Sequence, residues 1–215
     1  MIGFAIAISL YAIACLTHLV FGFLENEKWR KLTKCFCMGI LFIAALFIVP
    51  HQPIIYISIA LAFFGDLFLL KDDYLHLTIG ATCFALMHVV NIYFISSHLN
   101  YSIHWAVFVV AFIIFIFIIL YGKLSKRNLP PIVHQGALGY FFILLFSTTM
   151  AGMLLVNQVN TYTIMIFIGY LLFLCSDTCL LIFNFFHSVK RKNFWIMLTY
   201  LSAQTLIYLG MILLS

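Results

Sequence analysis

Two aspartates, Asp66 and Asp177, are the only carboxylates inside the long apolar stretches of this 215-residue chain. Inserting an aspartate near the centre of a bilayer costs about 3 kcal/mol, so a fold that keeps one must give it water or a partner. Two carboxyl groups that meet in a low-dielectric site can share one proton, and can then serve as general acid and general base. We therefore take these positions as the first candidates for an active site; the alternative is a structural hydrogen-bonded pair.

The composition indicates that a lipid bilayer surrounds the elements that carry these aspartates. Hydrophobic residues make up 66% of the chain and charged residues only 8%, which is far more apolar than a soluble domain. A hydrocarbon core of about 30 Å needs roughly 20 apolar residues per helix. The sequence therefore predicts an all-α integral membrane protein, with residues 1–215 forming a single polytopic domain. Eight spans are predicted: 2–24, 33–49, 53–70, 74–95, 103–121, 136–156, 162–186 and 194–214.

The basic residues predict how the bundle is oriented. All eleven follow odd-numbered spans, and the even-numbered loops and both termini contain none. Because Lys and Arg accumulate in cytoplasmic loops, the odd loops are predicted to be cytoplasmic and both termini non-cytoplasmic. The net charge of +5 then indicates contact with anionic lipid headgroups. It gives no reason to expect binding to nucleic acid. The basic residues are Lys28, Arg30, Lys31, Lys34, Lys71, Lys123, Lys126, Arg127, Lys190, Arg191 and Lys192.

Further polar residues are predicted at the depth of the two aspartates. Tyr200 and Gln204 are four residues apart, which places them on one helix face, and His88 shares a face with Asn91 at a spacing of three. Tyr140 lies just inside the sixth span, and Lys34 opens the second. We expect Lys34, His88, Tyr140, Tyr200 and Gln204 to line one polar cavity that opens to the cytoplasm.

Several polar residues also have a simpler interpretation. Tyr140 and Tyr200 fit interfacial aromatic residues, and Lys34 fits a side chain that snorkels to the headgroups. His18 is better explained by packing than by ligation. We expect the hydroxyl groups of Ser147, Thr148 and Thr149 to bond their own helix or a neighbour instead of a substrate.

The six cysteines predict neither a disulfide nor a metal site. They lie in or at the ends of apolar helices without a CxxC pair, which is typical of small hydrophobic fillers. No spacing such as HExxH accompanies the histidines. We therefore expect no metal and no other cofactor. The cysteines are Cys15, Cys35, Cys37, Cys83, Cys175 and Cys179.

Several short motifs together resemble the YhhN-like lysoplasmalogenase family. The runs are GDLFLL, IGATCFALMHVVNIYF, FLCSD and TYLSAQTLI, followed by Gly210, with weaker matches at Thr33-Lys34 and Tyr140. Their order and spacing across the predicted spans make the resemblance fairly specific. This chain departs from the family pattern at Cys35, where proline is usual, and at Asn91, where tyrosine is usual.

The resemblance implies a membrane hydrolase that cleaves the vinyl ether bond of lysoplasmalogens, giving a fatty aldehyde and glycerophosphoethanolamine or glycerophosphocholine. The aspartate pair suits this reaction, and we favour Asp66 as the acid and Asp177 as the base. The partners would be a lysophospholipid substrate and the bilayer. Of the membranes such a protein could occupy, we favour a bacterial inner membrane over the endoplasmic reticulum.

Two other classes of function fit the same aspartates. A small transporter could use them to bind a cation or to relay protons, although the chain lacks a marked inverted repeat and helices broken by proline or glycine. A structural or assembly protein would leave both carboxylates without a role.

Overall fold

The computed structural model describes residues 2–49, 51–71, 73–99, 112, 114–116, 118–119, 131–185 and 189–215. These residues form α-helices and no β-strand. The expectation of an all-α membrane protein is thereby confirmed at the level of fold class. The helices are α1 (Ile2–Phe23), α2 (Glu27–Ile48), α3 (Pro53–Phe68), α4 (Tyr74–Ser97), α5 (Pro131–Asn157), α6 (Thr161–Phe185) and α7 (Lys192–Leu214).

Six of these seven helices are long and apolar enough to cross a membrane. The seventh, α3, is apolar but has only 16 residues, about 24 Å of helix. The predicted fifth span, 103–121, lies mostly outside the described residues. The structure therefore supports a multi-pass protein with six candidate spans, while the count of eight and the sidedness of the termini stay predictions.

Two of the predicted spans begin several residues after the first residue of the corresponding helix. Helix α2 starts at Glu27 and not at residue 33, because Asn26 caps it by accepting a hydrogen bond from the Trp29 backbone N–H. Helix α5 starts at Pro131 and not at residue 136, and proline suits the first turn of a helix because its missing N–H needs no partner there. As a result Lys34 does not open α2 but lies in its second turn and is buried.

Among the described residues, the seven helices named above pack as a ring. Each helix contacts the next from α1 to α7, and α7 returns to contact α1. A further contact between α3 and α7 crosses the ring. The interior of this ring is where α2, α3, α4, α5, α6 and α7 bring side chains together.

Glycines set two of the closest helix contacts. A Cβ atom added to Gly169 of α6 would lie 3.0 Å from the carbonyl oxygen of Ala203, and one added to Gly210 of α7 would lie 2.9 Å from that of Tyr162. Both obstacles are backbone atoms, which cannot rotate away. The pair α6–α7 therefore depends on small residues, as is usual for helices that associate in lipid.

Candidate active site

Asp66 lies at the centre of a buried polar chain contributed by three helices. Its Oδ1 is 3.2 Å from Nζ of Lys34 on α2, and its Oδ2 accepts a hydrogen bond of 2.8 Å from the hydroxyl of Tyr200 on α7. Gln204, one turn further along α7, donates through Nε2 to the Tyr200 oxygen at 3.2 Å. Asp66 is 2% exposed, Lys34 8% and Gln204 0%, so this ion pair is almost closed to solvent.

Local packing explains why Asp66 and Tyr200 meet. Gly65 has no side chain, and a Cβ atom there would lie 2.7 Å from the ring of Phe84 on α4. The Phe84 ring thus packs directly on the α3 backbone, and it also contacts the rings of Tyr200 and Phe173, with centroid distances of 5.9 Å and 6.1 Å. The small residue before the aspartate therefore allows α4 to hold the tyrosine in place.

Asp177 has a different environment. Its Oδ2 accepts a hydrogen bond from the hydroxyl of Tyr140 on α5, and among the described residues it has no ion pair. Asp177 and Tyr140 both retain partial solvent exposure, in contrast to the closed Asp66 pair.

His88 lies among aromatic rings that connect the two aspartate groups. Its ring centroid is 4.8 Å from that of Phe173, 5.8 Å from Tyr170 and 6.1 Å from Tyr140. Phe173 in turn contacts the ring of Tyr200 at 5.6 Å. His88 is fully buried, and within the described part of the chain neither ring nitrogen has a hydrogen-bond partner.

A second buried network was missed by the sequence analysis. Ser58 on α3 donates to Oδ1 of Asn91 at 2.5 Å, and its oxygen is 2.8 Å from the hydroxyl of Tyr208 on α7. All three residues are fully buried. The only sequence signal for this network is that Tyr208 lies four residues beyond Gln204, on the same face of α7. That spacing does not show whether this face points into the bundle.

The alternatives weighed for the other polar residues have clear outcomes. Nδ1 of His18 is 2.9 Å from the Thr33 hydroxyl, which joins α1 to α2 and agrees with a packing role. The hydroxyls of Ser147, Thr148 and Thr149 each donate to the carbonyl oxygen four residues earlier in α5, at 2.8 Å, as predicted. Among the described residues, no three His, Cys, Asp or Glu side chains converge as metal ligands.

A comparison with protein families matches residues 29–211 to the YhhN family. The chain belongs to the YhhN family. Neither curated proteins nor solved structures provide a match.

The YhhN match covers every residue of the candidate site. It begins within α2 before Lys34 and ends in α7 beyond Gln204 and Tyr208. The aspartates, the tyrosine bonded to each and the buried lysine therefore all lie in the part of the chain that membership rests on. Chemically, the arrangement offers one carboxylate paired with a cation and one carboxyl group that has no ion pair among the described residues, linked through the aromatic rings around His88.

Proposed function

We propose that this YhhN family protein hydrolyses the vinyl ether bond of lysoplasmalogens. The observation that carries the proposal is the pairing of a closed Asp66–Lys34 ion pair with the partly exposed Asp177. Vinyl ether hydrolysis requires an acid that protonates carbon and a base that activates water. A pair of carboxyl groups in different environments can fill both roles, as paired carboxylates do in other oxocarbenium reactions.

The surroundings of each carboxyl group favour a role opposite to the one favoured from the sequence. Lys34 stabilises the charged form of Asp66, because an opposite charge at 3.2 Å favours ionisation. Asp177 has the Tyr140 hydroxyl but no cation at salt-bridge distance among the described residues. We therefore assign Asp177 as the general acid and Asp66 as the general base.

The first half of the reaction uses the acid. The Asp177 carboxyl proton goes to the β carbon of the vinyl ether, and the π electrons of the C=C bond form the new C–H bond. The product is an oxocarbenium ion that the nearby carboxylates stabilise. Water then attacks the α carbon while Asp66 takes one of its protons, which gives a neutral hemiacetal.

The second half returns both groups to their starting states. The hemiacetal hydroxyl gives its proton to the Asp177 carboxylate, and the bond from the α carbon to the glycerol oxygen breaks. The glycerol oxygen takes the proton held by Asp66. One water is consumed, a fatty aldehyde and the glycerophospho-alcohol are released, and no cofactor enters the balance.

The decisive test is aldehyde release by the purified protein in detergent. We expect it to cleave a lysoplasmalogen but not the alkyl ether lysolipid of the same headgroup, since protonation needs the C=C bond. Asp66→Asn and Asp177→Asn should each lower turnover at least a hundredfold, the usual effect of losing a general acid or base. An amide keeps the size of the side chain but cannot exchange the proton.

Asp73→Asn provides the matched control. Asp73 is an exposed aspartate that caps α4 by accepting from the His76 backbone N–H at 2.9 Å, and asparagine caps equally well. This variant should keep wild-type activity. If either Asp66→Asn or Asp177→Asn kept more than about a tenth of the activity, a barrier change of only ~1.4 kcal/mol, that residue would not be the acid or base. No aldehyde release, with ion-dependent solute uptake in proteoliposomes, would instead favour the transporter.

A further inference from the structure

Two side-chain hydrogen bonds join α3 to α7 in the described part of the chain. One links the hydroxyls of Ser58 and Tyr208 at 2.8 Å, and the other links Tyr200 to Asp66 at 2.8 Å. Ser58 and Asp66 are eight residues apart on α3, and Tyr208 and Tyr200 are eight residues apart on α7 in the opposite direction. Both bonds therefore fit one antiparallel register, and they are separated by about 12 Å along the helices.

The first of these bonds belongs to a buried chain in which the direction of each proton is fixed. Ser58 donates to Oδ1 of Asn91 on α4 at 2.5 Å. A hydroxyl group has only one proton, so Tyr208 must donate to Ser58. All three residues are fully buried, and a buried polar group that loses its partner is costly. The chain therefore favours the position of α7 in which Tyr208 reaches Ser58.

Apolar packing between the two bonds contributes less to the choice of register. The register places Ala62 of α3 opposite Gln204 of α7, and both residues are fully buried. A side chain as small as that of alanine lets the two backbones approach closely. Helices in lipid associate without the hydrophobic driving force that acts in water, so polar contacts have a larger share in deciding how far one helix slides along another.

Moving α7 by one turn in either direction gives the two nearest alternative registers. In the first, Gln204 would face Asp66 and could still donate to its carboxylate, but Ser58 would face Ile212. In the second, Asp66 would face Ile196. Each alternative therefore places one buried polar group of α3 against an apolar side chain. The Asp66 site alone does not exclude the first alternative, whereas the Ser58 site does.

We propose that Ser58, Asn91 and Tyr208 are positioning residues, which hold α7 in the register that brings the Tyr200 hydroxyl to Asp66. Their effect on catalysis rests on the proposed function, in which Asp66 is the general base. The Tyr200 hydroxyl and Nζ of Lys34 each engage one Asp66 oxygen. A shift of about 1 Å in a catalytic group can cost on the order of a hundredfold in rate, so a bond two turns away can affect the reaction.

The register is tested first without turnover. In protein labelled with ¹³C at the tyrosine Cζ atoms, the NMR signal that is lost in Tyr200→Phe reports the hydrogen bond to Asp66. Tyr208→Phe removes one oxygen atom, and it should move that signal towards the value of a free phenol. An unchanged Tyr200 signal in Tyr208→Phe would overturn the proposal.

Tyr11→Phe is the matched control. Tyr11 is 5% exposed, and its hydroxyl is 3.0 Å from that of Thr205, so this bond joins α1 to α7. The substitution also removes one buried hydrogen bond to α7, but not one to α3. It should lower the unfolding midpoint about as much as Tyr208→Phe does and leave the Tyr200 signal in place. Equal shifts of that signal in the two variants would refute the register role.

Kinetics then test whether Tyr208 acts through Tyr200. Tyr208→Phe should lower kcat about tenfold, while KM changes less than about threefold, because the bond positions a catalytic group. Tyr11→Phe should leave both values near those of the wild type. Adding Tyr208→Phe to Tyr200→Phe should lower kcat no further, since coupled residues are not additive. Losses that multiply in the double variant would show a separate route and contradict the proposal.

Ser58→Ala provides a second variant at the other end of the same bond. It removes the acceptor of the Tyr208 hydroxyl, and it should reproduce both the shift of the Tyr200 signal and the fall in kcat. A wild-type Tyr200 signal in folded Ser58→Ala would overturn the proposal.

The NMR signal and aldehyde release separate this proposal from the hydrolase. A shift of the Tyr200 signal in Tyr208→Phe, together with no aldehyde release by the wild type, would keep the register role and reject the proposed function. Aldehyde release by the wild type with an unchanged signal in Tyr208→Phe would do the reverse.

Discussion

The pairing of Lys34 with Asp66 links folding and chemistry at the scale of single residues. Both side chains are buried and their charged atoms are 3.2 Å apart. Removing one partner of a buried ion pair commonly lowers the free energy of unfolding by about 3–5 kcal/mol, because the remaining charge is left without compensation in a low-dielectric interior. Lys34 therefore has a structural role, because it compensates the buried charge of Asp66, and a chemical role, because it favours the ionised form of that carboxyl group.

A double substitution separates these two roles. Lys34→Met should lower the thermal unfolding midpoint in detergent, since it leaves the Asp66 charge unpaired. Combining Lys34→Met with Asp66→Asn should restore much of the lost stability, because no net charge then remains in the site. The combined variant should nevertheless be inactive, as it has no base. Unfolding midpoints and aldehyde release are measured on the same samples.

Lys31→Met is the control for the Lys34 substitution. Lys31 lies one turn earlier on α2, is half-buried and pairs at 4.0 Å with the exposed carboxylate of Glu27. Exposed pairs of this kind contribute little, so its loss should leave both the midpoint and the activity near the wild-type values. Recovery of activity in the combined variant would show that Asp66 is not the base. A midpoint in Lys34→Met equal to that of the wild type would show that the ion pair is not needed for stability.

The candidate site could be found from the sequence only where a residue type is rare in lipid. Asp66 and Asp177 stand out for that reason, and the spacing of Tyr200 and Gln204 placed them on one face. Ser58 and Tyr208 could not be found in this way, because hydroxyl groups are common in membrane helices and usually bond their own backbone. Which of them face the interior depends on the rotation of each helix, and packing against neighbours sets that rotation.

At the scale of elements, hydropathy located the apolar parts of the helices better than their ends. The apolar run that marks α2 begins near residue 33, yet the helix begins at Glu27. Its first turns are charged because they lie beyond the hydrocarbon, where a helix continues as long as a cap such as Asn26 starts it. Hydropathy measures where lipid begins, whereas the cap determines where the helix begins.

The α6–α7 pair provides a prediction about packing. Gly169→Ala and Gly210→Ala should each lower the unfolding midpoint, because the new methyl group would lie 3.0 Å or less from a backbone carbonyl oxygen of the facing helix. The helices would have to separate, and Tyr200 and Gln204 on α7 would move relative to Asp66 and Asp177. Activity should therefore fall together with the midpoint, as measured on purified protein.

Gly139→Ala is the comparison for these substitutions. Among the described residues, no atom lies within 4 Å of a Cβ added at Gly139 of α5, and alanine is the better helix former. Its midpoint should equal or exceed that of the wild type. Equal losses at Gly139 and Gly169 would indicate that any glycine replacement is harmful, and would contradict the role of close backbone approach.

At the scale of the whole molecule, a described contact joins two loops at each end of the bundle. At one end Glu25 accepts from the backbone of Arg191, and at the other Gln158 donates to the carbonyl oxygen of His98 at 2.6 Å. Only the first end carries Lys and Arg in its described loops. The distribution of charge thus distinguishes two ends that the helix packing alone would leave equivalent.

This asymmetry leads to a prediction of topology that can be tested in intact cells. In a variant without its six native cysteines, single cysteines at positions 24, 26 and 189 should react with a membrane-impermeant maleimide only after the membrane is opened. Cysteines at 98, 99 and 159 should react from outside. The physical reason is the retention of Lys and Arg on the cytoplasmic side during insertion. Positions on one end serve as controls for those on the other, since both sets lie in short loops. Labelling of position 189 from outside would reverse the orientation, and labelling of both ends from one side would contradict the arrangement of the helices as membrane spans.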